Sequence, residues 1–226
     1  MRIIVFGATG MVGQGVLDAC LRDDAVTEVL AVGRTRTGRT HPKLRELHHE
    51  DFTDFTAVQD RLAGYDGCFY CLGTSALGVT EADYRVVSYA FPLAAARALL
   101  EASPGIAFCY VSGAGTDPTG KTRLMWARVK GETENALLAL TPRAFMFRPG
   151  IITPLPGTTA KTPLYALLYR LLTPLAPLIR RVAPRHITSS TDLGRAMIHT
   201  VRTGAPRRTL TNADINETAA SRSPAP

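Results

Sequence analysis

The sequence predicts an α/β protein built on a doubly wound parallel sheet, and three observations carry that expectation. Short apolar runs recur along the chain, each followed by an amphipathic stretch at helical spacing. The first run, Ile3-Ile4-Val5-Phe6, has no polar member, as a strand covered on both faces requires. That run passes directly into glycines at 7, 10 and 13, after which Val12, Val16, Leu17 and Leu21 recur with helical period.

The strand, glycine turn and helix start together make a phosphate cradle. Gly7 suits the tight turn, Gly10 lets backbone approach a pyrophosphate, and Gly13 lets the helix pack against the strand. The same alternation continues downstream. Strands are expected near 2–6, 28–33, 44–48, 67–72, 106–111, 143–147 and 208–211. Helices are expected near 12–22, 55–63, 82–102, 121–140, 163–172 and 190–203. No internal repeat or linker divides the chain, so residues 1–212 are expected to form one domain. Residues 213–226, rich in Ala and Ser with two prolines, are expected to be a disordered tail.

Residues 163–184 stand apart, because Leu and Tyr alternate with Arg170, Arg180 and Arg181. Pro174 and Pro177 interrupt the segment, which excludes a transmembrane helix. It is expected to form part of a short helical C-terminal lid, about 153–205, over the C-terminal strand ends, or else a dimer surface. An interfacial membrane helix is the lesser expectation.

The 226 residues, 46% hydrophobic, suffice for one core. With the first strand expected from residue 2, no room is left for a signal peptide, and a cytoplasmic protein is expected. Cys68 and Cys71 have the spacing of a zinc or redox pair, but i and i+3 face opposite sides of a strand. With Cys20 and Cys109 they are expected as buried free thiols. The five histidines show no metal spacing, and no metal site is expected. The net charge of +7 lies wholly after residue 160, where 10 basic residues face Asp192, Asp214 and Glu217. This basic third suits an anionic ligand or a solvated face; without aromatic interleaving it does not suggest nucleic acid.

The spacing Gly7-Ala8-Thr9-Gly10-Met11-Val12-Gly13 resembles the extended and atypical branch of the short-chain dehydrogenase/reductase superfamily. More narrowly it resembles the NAD(P)-binding, epimerase-like proteins related to NmrA and TIP30, over Arg2 to about Ile152. The resemblance implies a Rossmann-type fold and a nicotinamide cofactor held by residues 7–13. It also implies that Asp51 and Phe52 lie by the adenine, Cys71-Leu72-Gly73 against the cofactor, and Arg148-Pro149-Gly150-Ile151 beside the nicotinamide. The residues themselves speak to cofactor type. Arg34 ends the second strand, 21 residues after Gly13, where NAD selectivity needs a carboxylate. With no acid there, Arg34, followed by Arg36, suits the 2′-phosphate of NADP, and NAD is the lesser expectation.

The same resemblance implies a catalytic Ser, Tyr and Lys. Ser112 follows the fifth strand, and Lys130 sits on the next helix, but Trp126 occupies the tyrosine position. Positions 126 and 130 share a helix face. Indole donates a hydrogen bond but does not deprotonate near neutral pH, so it cannot carry the phenol's proton. Lys130, Tyr84, Tyr89 and Tyr110 are the candidate replacements, and Lys130 keeps an expected role on the nicotinamide ribose. Two readings follow: an NADP(H)-binding oxidoreductase or nucleotide-sugar-epimerase-like enzyme acting on a small, anionic or partly apolar molecule, or an NADP(H)-sensing regulatory protein without turnover. A monomer or homodimer suits either.

Overall fold

The computed structural model describes residues 1–155 and 186–221. Seven parallel strands form the central sheet: β1 (Arg2–Phe6), β2 (Glu28–Gly33), β3 (Leu44–His48), β4 (Gly67–Tyr70), β5 (Ala107–Val111), β6 (Ala144–Arg148) and β9 (Thr209–Thr211). Their order is β3-β2-β1-β4-β5-β6-β9, with β7 (Ile151–Thr153) and β8 (Ile187–Ser189) pairing as a separate parallel ladder. The chain therefore reverses its winding between β1 and β4, where open α/β sheets bind their ligands. The expected strands match these positions closely, and the fold is Rossmann-type.

The sheet is apolar on both faces because each strand sends alternate side chains to opposite cores. Ile3, Val5, Phe69, Cys109 and Phe147 join α1 (Met11–Arg22) and a later helix, α5 (Ser190–Thr203), on one side. Ile4, Phe6, Cys68, Tyr70, Phe108 and Met146 join residues of α3 (Phe91–Ala102) and α4 (Met125–Leu140) on the other. Cys68 and Cys71 accordingly pack into different cores, and all four cysteines are free thiols. Burial pushes Cys71 up to about 12.

The helix expected over 82–102 is broken into α2 (Glu81–Arg85), a π-helical turn (Val86–Ala90) and α3. Pro92 explains the break: it has no N–H to offer the carbonyl of Ser88 four residues back. That carbonyl instead accepts the hydroxyls of Tyr110 at 3.3 Å and Thr133 at 2.8 Å. Residues Thr56–Leu62, expected as helix, form a 3₁₀ helix.

One expectation needs correction. The supposed tail contains α6 (Asn212–Ala220), so residues 213–220 are ordered. Thr211 and Asp214 form a reciprocal capping box at its start. Ile215 is fully buried, and Asn216 Nδ2 donates to the Ile187 carbonyl at 2.8 Å. Small residues hide this helix from a composition argument, while its one buried apolar side chain and its cap hold it. The helix expected over 163–172 and most of the expected lid lie outside the described residues, while the lid's residues 190–203 prove to be α5, a core helix packed with α1 against the sheet. Among the described residues, no helix is long and apolar enough to cross a membrane.

Candidate functional site

The turn after β1 is shaped by sterics. Gly7 has φ of +75°, and a Cβ there would lie 2.6 Å from the Leu72 nitrogen, so only glycine fits beneath the chain leaving β4. A Cβ on Gly13 would lie 2.0 Å from the Gly7 carbonyl oxygen, which is why α1 can start so close to the strand. Gly10 donates its N–H to that carbonyl at 2.9 Å and stands as the N-cap of α1 without a side-chain cap. The first turn of α1, at Met11, Val12 and Gly13, therefore keeps its positive end free of a capping side chain.

Beside it lies a cavity of about 610 Å³ between the ends of β1, β2 and β3. Gly7, Thr9, Arg34, Phe52 and Leu72 line it, together with Arg36, Arg39, Arg45 and Arg61. Glu46 is the acidic side chain among the lining residues. Arg39 pairs with Asp18 at 3.3 Å, whereas neither the Arg34 nor the Arg61 side chain has a hydrogen bond or ion pair among the described residues. The cavity suits a phosphorylated adenosine: glycine backbone on one side, an apolar wall from Phe52 and Leu72, and unneutralised guanidinium groups at the mouth.

Not every expected cofactor residue joins this cavity. Asp51 is exposed outside its lining, with Oδ1 accepting from the Thr53 amide at 2.9 Å and the Thr53 hydroxyl at 2.5 Å. Those bonds, the hydroxyl's first, hold its carboxyl below the usual range. Cys71 and Gly73 lead away from β4, and a Cβ on Gly73 would meet nothing within 4 Å. Pro149 accepts the Ala114 amide at 2.8 Å. The Gly150 amide donates to Asn212 Oδ1 at 2.8 Å, and Ile151 begins β7 with its amide on the His186 carbonyl at 2.9 Å. Gly150 and Ile151 are thus held by the C-terminal part of the fold, and Pro149 by the segment that follows β5.

At the ends of β5 and β6 the catalytic candidates meet. Lys130, half-buried on α4, donates to the Ser112 carbonyl at 2.7 Å and approaches the Val111 carbonyl at 3.4 Å. Burial pulls its pKa down to about 8, outweighing the nearby charge of Glu134. Ser112 Oγ donates to Glu134 Oε1 at 2.6 Å and also contacts the Phe147 carbonyl at 3.1 Å. Glu134 is 1% exposed and ion-paired to Arg148, whose Nε lies 3.0 and 3.2 Å from its two oxygens. The Ser112 proton is therefore committed to a buried carboxylate, leaving oxygen lone pairs for a ligand. Trp126 is half-buried one turn before Lys130, its ring edge 3.4 Å from where a Cβ on Gly115 would stand.

The tyrosine candidates are engaged elsewhere. Tyr110 is buried with its hydroxyl on the Ser88 carbonyl, and its ring lies 6.0 Å beneath the Lys130 ammonium. Burial raises the Tyr84 hydroxyl, and Tyr89 stacks under Arg85 at 5.7 Å. Glu134 and the cavity arginines Arg39, Arg45 and Arg61 are absent from the residues expected from sequence. Glu134 had one legible signal, its place four residues after Lys130 on the same helix face. The arginines had none, because they come together only when β2, β3 and the 3₁₀ helix pack.

Comparisons agree with this architecture. Residues 3–122, just over half the chain, match the NAD dependent epimerase/dehydratase family. The chain is 26% identical over 135 residues to "Leucinostatins biosynthesis cluster protein T" of Purpureocillium lilacinum, covering 58% of this chain and 50% of that protein. It is 27% identical over 201 residues to "Protein fmp52-2, mitochondrial" of Aspergillus oryzae, covering 88% and 85%. Thus the match spans half the length of the Purpureocillium relative. Among solved structures, MoeE5 in complex with UDP-glucuronic acid and NAD shares the fold with a TM-score of 0.65, at 18% identity over 92% of this chain and 74% of that one. With the glycine turn, the sheet order and the matched span in agreement, the chain belongs to the NAD dependent epimerase/dehydratase family.

Proposed function

We propose that this protein binds NADP(H) and acts as an oxidoreductase or epimerase-like enzyme on a small molecule. The observation that carries the reading is the arginine-lined cavity at the end of β2, where Arg34 stands in place of a carboxylate. The cradle suits a dinucleotide, because Gly7 and Gly13 let the strand, the turn and the start of α1 pack closely and leave the Gly10 N-cap without a covering side chain beside the cavity. Gly7, Thr9 and the first turn of α1 would hold the pyrophosphate, and Arg34 with Arg36 the 2′-phosphate. A bound nicotinamide supplies a hydride donor or acceptor.

The protein's own part in the chemistry falls to Lys130 and Ser112. Lys130 donates to two backbone carbonyls, which orients its ammonium at the end of β5, and its pKa of about 8 suits proton exchange near neutral pH. Ser112 Oγ, its proton held by Glu134, can accept a hydrogen bond from a substrate hydroxyl. Leu77, Leu124 and Ile151 are exposed on the segments that follow β4, β5 and β6, which supports a partly apolar substrate. Four free thiols suit a reducing compartment such as the cytoplasm, and the protein would work there as a monomer or homodimer.

Calorimetry with NADPH and NADH tests the cofactor assignment. NADPH binds more tightly to the parent, and Arg34→Ala weakens NADPH while leaving NADH nearly unchanged. Tighter NADH binding by the parent would overturn the reading. A second reading, an NADP(H)-sensing protein without turnover, is favoured by Trp126 at the family's tyrosine position. Turnover of about 1–10³ s⁻¹ on any substrate, the ordinary enzyme range, excludes it. Trp126→Tyr sharpens the choice, since it completes the Ser, Tyr and Lys set and raises turnover in an enzyme but adds none to a sensor.

A further inference from the structure

We propose that Glu46 sets cofactor selectivity as a positioning residue, by holding the segment that presents Arg34 and Arg36 to the ribose phosphate. The inference rests on the NADP(H) reading above and names the group that makes it work. A carboxylate among arginines at an adenosine site has two possible uses. It can accept a hydrogen bond from an unphosphorylated ribose, which favours NAD, or it can shape the loop that meets a phosphate.

The hydrogen bonds favour the second use. Glu46 Oε1 accepts both the Thr37 amide and the Thr37 hydroxyl, each at 2.7 Å. The Thr37 oxygen in turn accepts the Arg39 amide at 3.2 Å, and the Arg39 guanidinium reaches Asp18 on α1 at 3.3 Å. The loop from Arg34 to Arg39 is thus tied at one point to β3 and at another to α1. Thr37 and the nearby Arg36 charge hold the Glu46 carboxyl below the usual range, so the clasp is ionised at neutral pH. Arg39 spends its charge on Asp18, while Arg34 remains without a partner among the described residues. A loop already held in place loses less conformational freedom when a phosphate docks, so the clasp strengthens phosphate binding without touching the ligand.

The test uses the full chain and two probes that differ by one phosphate, 2′,5′-ADP and 5′-ADP, followed by calorimetry. Glu46→Ala weakens 2′,5′-ADP about tenfold, the equivalent of about 1.4 kcal/mol, and leaves 5′-ADP unchanged. Glu46→Gln, whose amide oxygen still accepts from Thr37, keeps most of the parent's selectivity. Equal weakening of both probes by Glu46→Ala would overturn the inference, because a ribose contact or a general structural role would then suffice. Unchanged 2′,5′-ADP affinity would overturn it as well. A parent that binds the two probes equally removes the NADP(H) reading and this inference together. A parent that prefers 2′,5′-ADP, with Glu46→Ala keeping the preference, removes only the inference. Should Glu46→Ala fail to fold, Thr37→Val reads the same clasp: it removes the hydroxyl leg, and the same selective loss in smaller measure is expected.

Discussion

At the β1–β3 end of the cleft, positive charge is left unpaired; at the β5–β6 end, nearly every charge is matched by the protein itself. Arg34 and Arg61 border a cavity of about 610 Å³ without ion-pair partners among the described residues. By contrast, Glu134 holds both Arg148 and the Ser112 hydroxyl, and Lys130 donates to backbone carbonyls. The first region spends little on itself and is ready to receive an anion. The second is largely satisfied by its own partners and offers a ligand mainly the Ser112 oxygen and the Lys130 ammonium. This contrast is the physical basis for expecting firm cofactor binding with slow turnover.

Breaking the matched end has the largest expected effect. Glu134→Ala leaves the partly exposed Arg148 without its carboxylate and Ser112 with only the Phe147 carbonyl as acceptor, and removing the buried partner of such a pair costs up to about 3–5 kcal/mol. Urea denaturation measures it; a loss below about 1 kcal/mol, as for a surface pair, would show that the network is not part of the stability of this end. The receiving end is attacked through its backbone. Gly13→Ala puts a methyl where the Gly7 carbonyl already lies, and overpacking of this kind costs about 1–3 kcal/mol. Calorimetry of that variant is expected to show NADPH binding lost, and retention of parental affinity would mean that the turn is not the cradle.

A pH series sharpens the comparison. The Lys130 pKa of about 8 lies below that of an unfolded lysine, so the unfolded chain binds more protons between the two values. Parent stability relative to Lys130→Met therefore rises with pH from about 8 to about 10.4, by on the order of 1–2 kcal/mol after allowance for partial exposure. Denaturation midpoints across that window that run parallel for the two proteins would place Lys130 in ordinary solvent. The smallest expected effect is at the support of the β6 end. Thr211→Ala removes the cap of α6 and costs about 1 kcal/mol. Because Asn212 on that helix holds the Gly150 amide, faster exchange of this amide is expected alongside. An unaltered exchange rate would show that α6 does not support the segment after β6.

The strands and the glycine turn could be read directly because their causes are local. A strand buried on both faces must be apolar at every position, as Ile3 to Phe6 are, and position 13 must be glycine because a Cβ there would strike the Gly7 carbonyl. Arg34 was legible for the same reason, since its distance from Gly13 is set by one helix and one strand. Tertiary structure alone decided the rest. Three-residue strands such as Ile151–Thr153 and Ile187–Ser189 are too short to show a period, and they exist only because they pair with each other. The helix Asn212–Ala220 looked like a tail because its sequence lacks an apolar stripe; one buried isoleucine, a cap and an asparagine on the Ile187 carbonyl hold it. Glu134 reads in sequence as a surface helix residue, and its role depends on Arg148 arriving from β6. Likewise Glu46 and Thr37 lie nine residues apart and become a clasp only when β3 lies beside β2. Local sterics and periodicity act within a few residues and can be read along the chain, whereas electrostatic pairing acts through space and waits for the fold.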